Sequence, residues 1–125
     1  MIKAADRYKC IQVMTASPGR LVQMMFDAAV RGCARAKAAL EQGDALGARK
    51  HLISVQDIVV ELRSALNLES GKMAETLWGL YDYVYHRLVH ASVSGDEQAL
   101  GEAQMIVSGL RDAWREMLEG RGEDG

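Results

Sequence analysis

Met73-Ala-Glu-Thr-Leu-Trp-Gly-Leu-Tyr-Asp-Tyr-Val-Tyr-His-Arg-Leu-Val-His-Ala-Ser-Val93 is the stretch whose reading decides the fold. At about 100° per residue, Met73, Leu77, Leu80, Val84, Leu88 and Ala91 fall on one stripe of a helix. Beside it runs a second stripe of Ala74, Trp78, Tyr81, Tyr85 and Val89. Together they cover roughly 180°, against the roughly 100° of a helix that packs on a single core. Glu75, Asp82, His86, Arg87 and His90 fall on the opposite arc, so the segment is amphipathic and not a membrane span. A helix in water with a second, aromatic stripe must bury it inside a bundle or against a partner.

Working outward, helix-stop and helix-start residues divide the rest of the chain. Ser17-Pro18 is a start signal, because Ser offers a capping oxygen and Pro loses no bonded amide at the first helical position. The first helix is predicted from Pro18 to about Gln42, where Gly43 supplies a left-handed cap. Asp44 caps a second helix to about Leu66. Asn67 to Gly71 connects to the third, with Ser70 as its available cap. Ser94-Gly95 stops the third helix, and Asp96 opens a fourth that reaches about Leu118. The tail from Glu119 to Gly125 has no apolar anchor and is expected to be disordered. The expected organisation is an N-terminal cap segment over 1–16, a bundle over 17–118 and a tail over 119–125.

No alternating run or hairpin turn signals a strand. Four helices of roughly 23 residues, each about 35 Å long at a 1.5 Å rise, joined by short loops, make neighbours antiparallel. The fold class is therefore all-α, an up-down-up-down antiparallel four-helix bundle. The second helix places Leu52, Val55, Ile58, Val59, Leu62 and Leu66 on one face. The fourth does the same with Leu100, Ala103, Val107, Leu110, Trp114 and Met117. The first offers Leu21, Val22, Met25, Ala28, Ala29, Gly32, Ala36 and Leu40, whose small members let a neighbour approach closely. Ile53 and Val60 on the second helix lie off its main stripe and add to the surplus apolar surface.

Composition bounds the function. A chain of 125 residues with 49% hydrophobic and 26% charged residues is one globular domain able to bury a core. Fifteen basic against seventeen acidic residues leave a net charge of −2. The basic residues are spread over all helices, which argues against nucleic acid, since phosphate binding needs a concentrated basic face. No apolar run approaches the ~20 residues of a transmembrane helix, and the first residues lack a secretory signal pattern. Cys10 and Cys33 make no disulfide framework. A cytoplasmic protein with free thiols is the expectation.

Catalytic chemistry finds little support. His86 and His90 are four apart and could share a metal, but no third ligand accompanies them. Di-iron bundles require Glu-x-x-His pairs, whereas Glu61 is followed at that spacing by Ser64 and Glu75 by Trp78. Asp27, Asp57, Glu61 and Asp82 have no fixed pairing, and neither cysteine has a basic neighbour arranged to activate it. His51 leaves a histidine phosphotransfer domain as an alternative class, although the residues after it do not follow that family's pattern. The expectation is no enzyme, no cofactor and no metal.

Four blocks resemble one family. Gln12-Val-Met-Thr-Ala-Ser-Pro-Gly-Arg-Leu-Val-Gln-Met-Met-Phe-Asp27 is similar to the opening signature of the flagellar secretion chaperones FliS, the cytosolic chaperones of flagellin. Val55-Gln-Asp-Ile-Val-Val-Glu-Leu-Arg-Ser-Ala-Leu-Asn67, Leu80-Tyr-Asp-Tyr-Val-Tyr-His-Arg-Leu88 and Leu110-Arg-Asp-Ala-Trp-Arg115 agree in order and spacing. The resemblance implies a bundle that binds the disordered C-terminal segment of flagellin, prevents its premature polymerisation and assists its delivery to the flagellar export gate. It also implies a mobile N-terminal stretch around Tyr8 and Ile11 that covers part of the groove or contacts the export machinery. The chain departs from the family at Met25-Phe-Asp-Ala-Ala-Val30, where Leu-Tyr-Asp-Gly-Ala-Ile is usual, and at Glu69-Ser-Gly-Lys-Met73. Phe26 lacks a hydroxyl that could bond a partner, and Ala28 narrows any close backbone approach.

The physics fits that task. A client that is disordered when free loses entropy on binding, so its chaperone must offer a large apolar surface. Trp78, Tyr81 and Tyr85, with Ile53 and Val60, are the expected binding wall, because helix-in-groove recognition uses such rows and aromatics are the usual anchors. Met25 and the other methionines adapt to an irregular client. Tyr8 and Ile11 belong to the displaceable cap, and Asp27 and Asn67 are expected to make polar contacts to the client backbone. Another secreted protein or a regulator is the alternative client, and a second copy of the chain is another occupant of the surplus surface.

Overall fold

The computed structural model describes residues 19–123, with side chains described to residue 120. Within them lie four helices: α1 (Gly19–Glu41), α2 (Ala45–Ser64), α3 (Lys72–Ser94) and α4 (Glu97–Glu123). A single 3₁₀ turn, Leu68–Ser70, sits between α2 and α3. No strand occurs among the described residues. α1 packs against α2 and α4, and α3 packs against the same two, closing a four-membered ring. The Trp114 indole N–H, near the end of α4, donates to the Gly19 carbonyl at the start of α1 at 2.9 Å. Those two ends share one pole of the bundle, as antiparallel neighbours require.

Most of the predicted punctuation is observed. Gly43 and Gly95 take positive φ of 76° and 70°, the left-handed conformation that glycine adopts without a Cβ clash. Asp44 caps α2 through a bond from the Gly47 amide at 2.9 Å. Asp96 caps α4 by accepting from the amides of Gln98 and Ala99, and these bonds hold its carboxyl below the ordinary range. Ser70 behaves differently from the expectation. Its hydroxyl donates to the Asn67 carbonyl at 2.7 Å, and Gly71 precedes α3 with no side-chain cap. The fourth helix also runs past the predicted end near Leu118, to Glu123. Extending an existing helix avoids nucleation, and no proline interrupts those residues.

The buried positions correct the expected stripes. In α1 they are Val22, Gln23, Phe26, Ala29, Cys33, Ala36 and Ala39, and in α2 Ala48, Leu52, Val55, Val59 and Leu62. In α3 they are Ala74, Tyr81, Val84, Leu88 and Ala91. Gln23 aside, and with partly buried Leu77 between Ala74 and Tyr81, steps of three and four that average about 3.5 residues mark a seam like that of a coiled coil, the usual packing of such bundles. The seam of α3 therefore runs between its two predicted stripes, taking Ala74 and Tyr81 from one and Val84, Leu88 and Ala91 from the other. Met73, placed on the core stripe from sequence, is exposed. In α1 the seam passes through Phe26 rather than Leu21, which is exposed.

Phe26 forms the aromatic centre of the core. Its ring lies 6.3 Å from that of Tyr81 and 6.3 Å from that of Trp114, both tilted. The position where a hydroxyl was expected to matter for a partner is thus a core position, 2% exposed. Where α1 crosses α2, a Cβ on Gly32 would fall 2.4 Å from Cγ2 of buried Val55. The close approach expected from the small residues of the first helix is made there.

Burial also sets a pH limit on the fold. It pushes the Cys33 thiol from 9.0 up to about 11 and the Tyr81 hydroxyl from 10.0 up to about 12. The folded chain keeps both protons after the unfolded chain has released them. Their contribution is therefore complete below pH 9 and is lost as pH rises through 11 and then 12. The urea midpoint followed by circular dichroism is expected to fall between pH 8 and pH 10.5, and less steeply for Cys33→Ala. Equal midpoints at the two pH values would contradict this.

Candidate functional site

The site is built on the seam between α2 and α3. Arg63 lies in the last turn of α2, where a cation is favoured by the helix dipole. Its side chain reaches across to α3. There Nη1 donates to Oδ1 of Asp82 at 2.7 Å, a part-buried ion pair. The same guanidinium carbon lies 5.1 Å from the centre of the Trp78 ring and 5.4 Å from that of Tyr85. Trp78, Asp82 and Tyr85 are spaced by four and three, so they form one row on α3 with Asp82 on the turn between the two aromatics. His86 extends the group. Its ring meets Tyr85 edge-on at 5.5 Å, and its Nε2 sits 3.6 Å from Asp82 Oδ1, beyond hydrogen-bonding distance.

The predicted residues divide among several places. Trp78 is 38% exposed, Tyr85 is half-buried, Ile53 is 47% exposed and Val60 is half-buried. Tyr81 is separated from them: at 6% exposure its ring belongs to the core beside Phe26, so the aromatic row of three is divided. Its place on the seam, about 60° around the helix from Trp78 at 100° per residue, turns it inward. Met25 is half-buried against the core. Asp27 lies on α1, where Oδ1 accepts from buried Gln23 and from Arg115 of α4, both at 3.2 Å. The α1–α4 seam is on the opposite side of the ring from the α2–α3 seam. Asn67 builds the turn before α3, its Oδ1 accepting from the Glu69 amide and its carbonyl from the Ser70 amide. Tyr8, Ile11 and Cys10 lie outside the described residues.

Sequence reasoning missed Arg63; Asp82, assigned to the polar arc, is partly exposed and pairs with it. The spacing of Asp82 from Trp78 and Tyr85 was a usable signal, but the arrival of Arg63 from another helix was not visible in one helix's periodicity.

Other polar groups pair between α3 and α4 or across the turn that joins them. The Tyr83 hydroxyl donates to Glu102 Oε1 at 2.5 Å, and that bond raises its pKa. Arg87 Nε is 3.0 Å from the same oxygen as an ion pair, off the hydrogen-bonding direction. His90 Nε2 is 3.2 Å from Asp96 Oδ2. The two histidines considered for a shared metal thus approach different carboxylates, and among the described residues no three His, Cys, Asp or Glu side chains are grouped to hold a metal ion. No described helix is long and apolar enough to cross a membrane.

A four-helix bundle with aromatic surface on one seam has the form of a binding protein. Known proteins give that class a definite family. The family model for flagellar protein FliS matches residues 1–121. The flagellar secretion chaperone FliS of Bacillus subtilis is 32% identical over 117 residues, 94% of this chain and 87% of its own length. That of Salmonella typhimurium is 36% identical over 107 residues, 84% of this chain and 79% of its own. The flagellar secretion chaperone FliSB of Pseudomonas aeruginosa is 31% identical over 119 residues, 90% of this chain and 94% of its own. The chain belongs to the FliS family of flagellar secretion chaperones, a membership that fits an export chaperone and a non-enzymatic role.

Proposed function

We propose that this chain is a cytoplasmic export chaperone that holds the disordered C-terminal segment of flagellin, prevents premature polymerisation and assists its delivery to the flagellar export gate. The observation that carries the reading is the half-open aromatic wall of Trp78 and Tyr85 on the α2–α3 seam of a FliS-family bundle. Ile53, exposed, and Val60, half-buried, add apolar surface on α2. A segment that is disordered when free needs apolar anchors spaced along a helix, because each anchored turn must offset the entropy of ordering it. Trp78 and Tyr85, two turns apart, supply such anchors, and aromatic side chains offer large contact area for the side-chain entropy they lose.

The test is a pull-down with purified flagellin, whole and lacking its C-terminal segment. Whole flagellin is expected to be retained and the truncated form to pass through. Equal retention of the two forms would move the contact elsewhere in the client. Retention of neither would end the assignment to flagellin.

A further inference from the structure

Trp78 and Tyr85 are seven residues apart, two turns or about 10.5 Å along a helix axis. The Arg63 guanidinium occupies that interval, 5.1 Å from one ring centre and 5.4 Å from the other. It does not stand there freely. Asp82, on the intervening turn, holds Nη1 at 2.7 Å. A planar cation held by a carboxylate and close to two ring centres is a cluster built from two helices.

We propose that Arg63 is the positioning residue of the client wall: held by Asp82, it fixes the Trp78 and Tyr85 rings in their binding orientation before the client arrives. The inference rests on the reading above. Half-exposed aromatics on a helix surface exchange rotamers freely unless something flanks them, and ordering them on binding weakens the complex. Here the guanidinium does the ordering in the free protein. It suits the task better than an ammonium, since its flat, weakly hydrated face stacks on aromatic rings while its edge bonds a carboxylate. Arg63 also ties the end of α2 to α3, so the wall keeps its shape across the seam between two helices.

The experiment compares wild type, Arg63→Met, Arg63→Lys and Asp82→Asn by two readouts. One is the indole N–H signal of Trp78 in the unbound chain, told from that of Trp114 by its loss in Trp78→Phe. The other is the dissociation constant for purified flagellin. Arg63→Met keeps the length and apolar stem of the side chain, and circular dichroism checks the bundle in every variant. We expect the Trp78 signal to move and broaden in Arg63→Met and Arg63→Lys, and flagellin affinity to fall on the order of tenfold. Asp82→Asn is expected to give a smaller change in the same direction. A Trp78 signal unmoved in both Arg63 variants overturns the proposal, whether or not affinity falls, because Arg63 would then act on the client directly or not at all. Failure of the wild-type chain to bind flagellin overturns the earlier reading instead, and the unbound indole signal still decides whether Arg63 orders the rings.

Discussion

Trp78→Ala combined with Tyr85→Ala is expected to weaken flagellin binding by about 100-fold while leaving the helical circular dichroism signal intact. Buried aromatic anchors at interfaces commonly contribute about 2 kcal/mol or more each on truncation. Full additivity would give a larger loss, but the two rings share Arg63 as a neighbour, and residues with a common partner do not add. The fold survives because Trp78 is exposed and Tyr85 only partly buried against the core. Isothermal titration with whole flagellin, alongside a urea titration of the free variant, separates the two effects. Unchanged affinity would remove the α2–α3 seam from the binding surface. Tyr81→Ala is a poor substitute for either change: its ring is 6% exposed and touches Phe26, so its loss is a loss of core.

Phe26→Ala is expected to have the largest effect on stability, about 3–5 kcal/mol, the usual range for removing a buried phenylalanine. Its ring is 2% exposed and lies between those of Tyr81 and Trp114, so truncation leaves a cavity bordered by two large rings. Neither can move in easily. Trp114 is fixed by its bond to the Gly19 carbonyl, and Tyr81 sits on the seam of α3. For a domain whose whole stability is on the order of 5–15 kcal/mol, the variant stands near unfolding at ambient temperature. The urea midpoint reads the loss. A shift equivalent to less than about 1 kcal/mol, below the range for such truncations, would mean that the core closes over the gap. Phe26→Tyr is the informative companion, because it adds the hydroxyl usual in the family at a position with almost no access to solvent.

The candidate site was legible in part. Trp78, Tyr85, Ile53 and Val60 could be named because a helix carrying too wide an apolar arc must leave some of it outside a core. Which members stay outside depends on the rotation of the helix about its own axis. Rotation by a fraction of a turn exchanges Tyr81 for Met73 without changing the pattern of either stripe. The sequence reading assigns Asp27 and Asn67 polar contacts to a client backbone. In the fold their side chains accept bonds from Gln23, Arg115 and the Glu69 amide, contacts that depend on a neighbouring helix and on a short turn.

The amino-acid order alone determined the number, approximate limits and antiparallel course of the helices. Glycine at positive φ and aspartate at a helix start act within a few residues of themselves, and the apolar period acts within one helix. The motifs around Asp27, Asn67 and Tyr85 were enough to point to the FliS family. Only the tertiary structure decided that Phe26 and Tyr81 lie inside while exposed Trp78 and half-buried Tyr85 lie beside Arg63. Periodicity ranks residues around one axis, whereas the direction in which that axis is turned is set by how four seams interlock at close packing. The guanidinium between two rings is a product of that interlocking, contributed by a helix whose own pattern carries no trace of it.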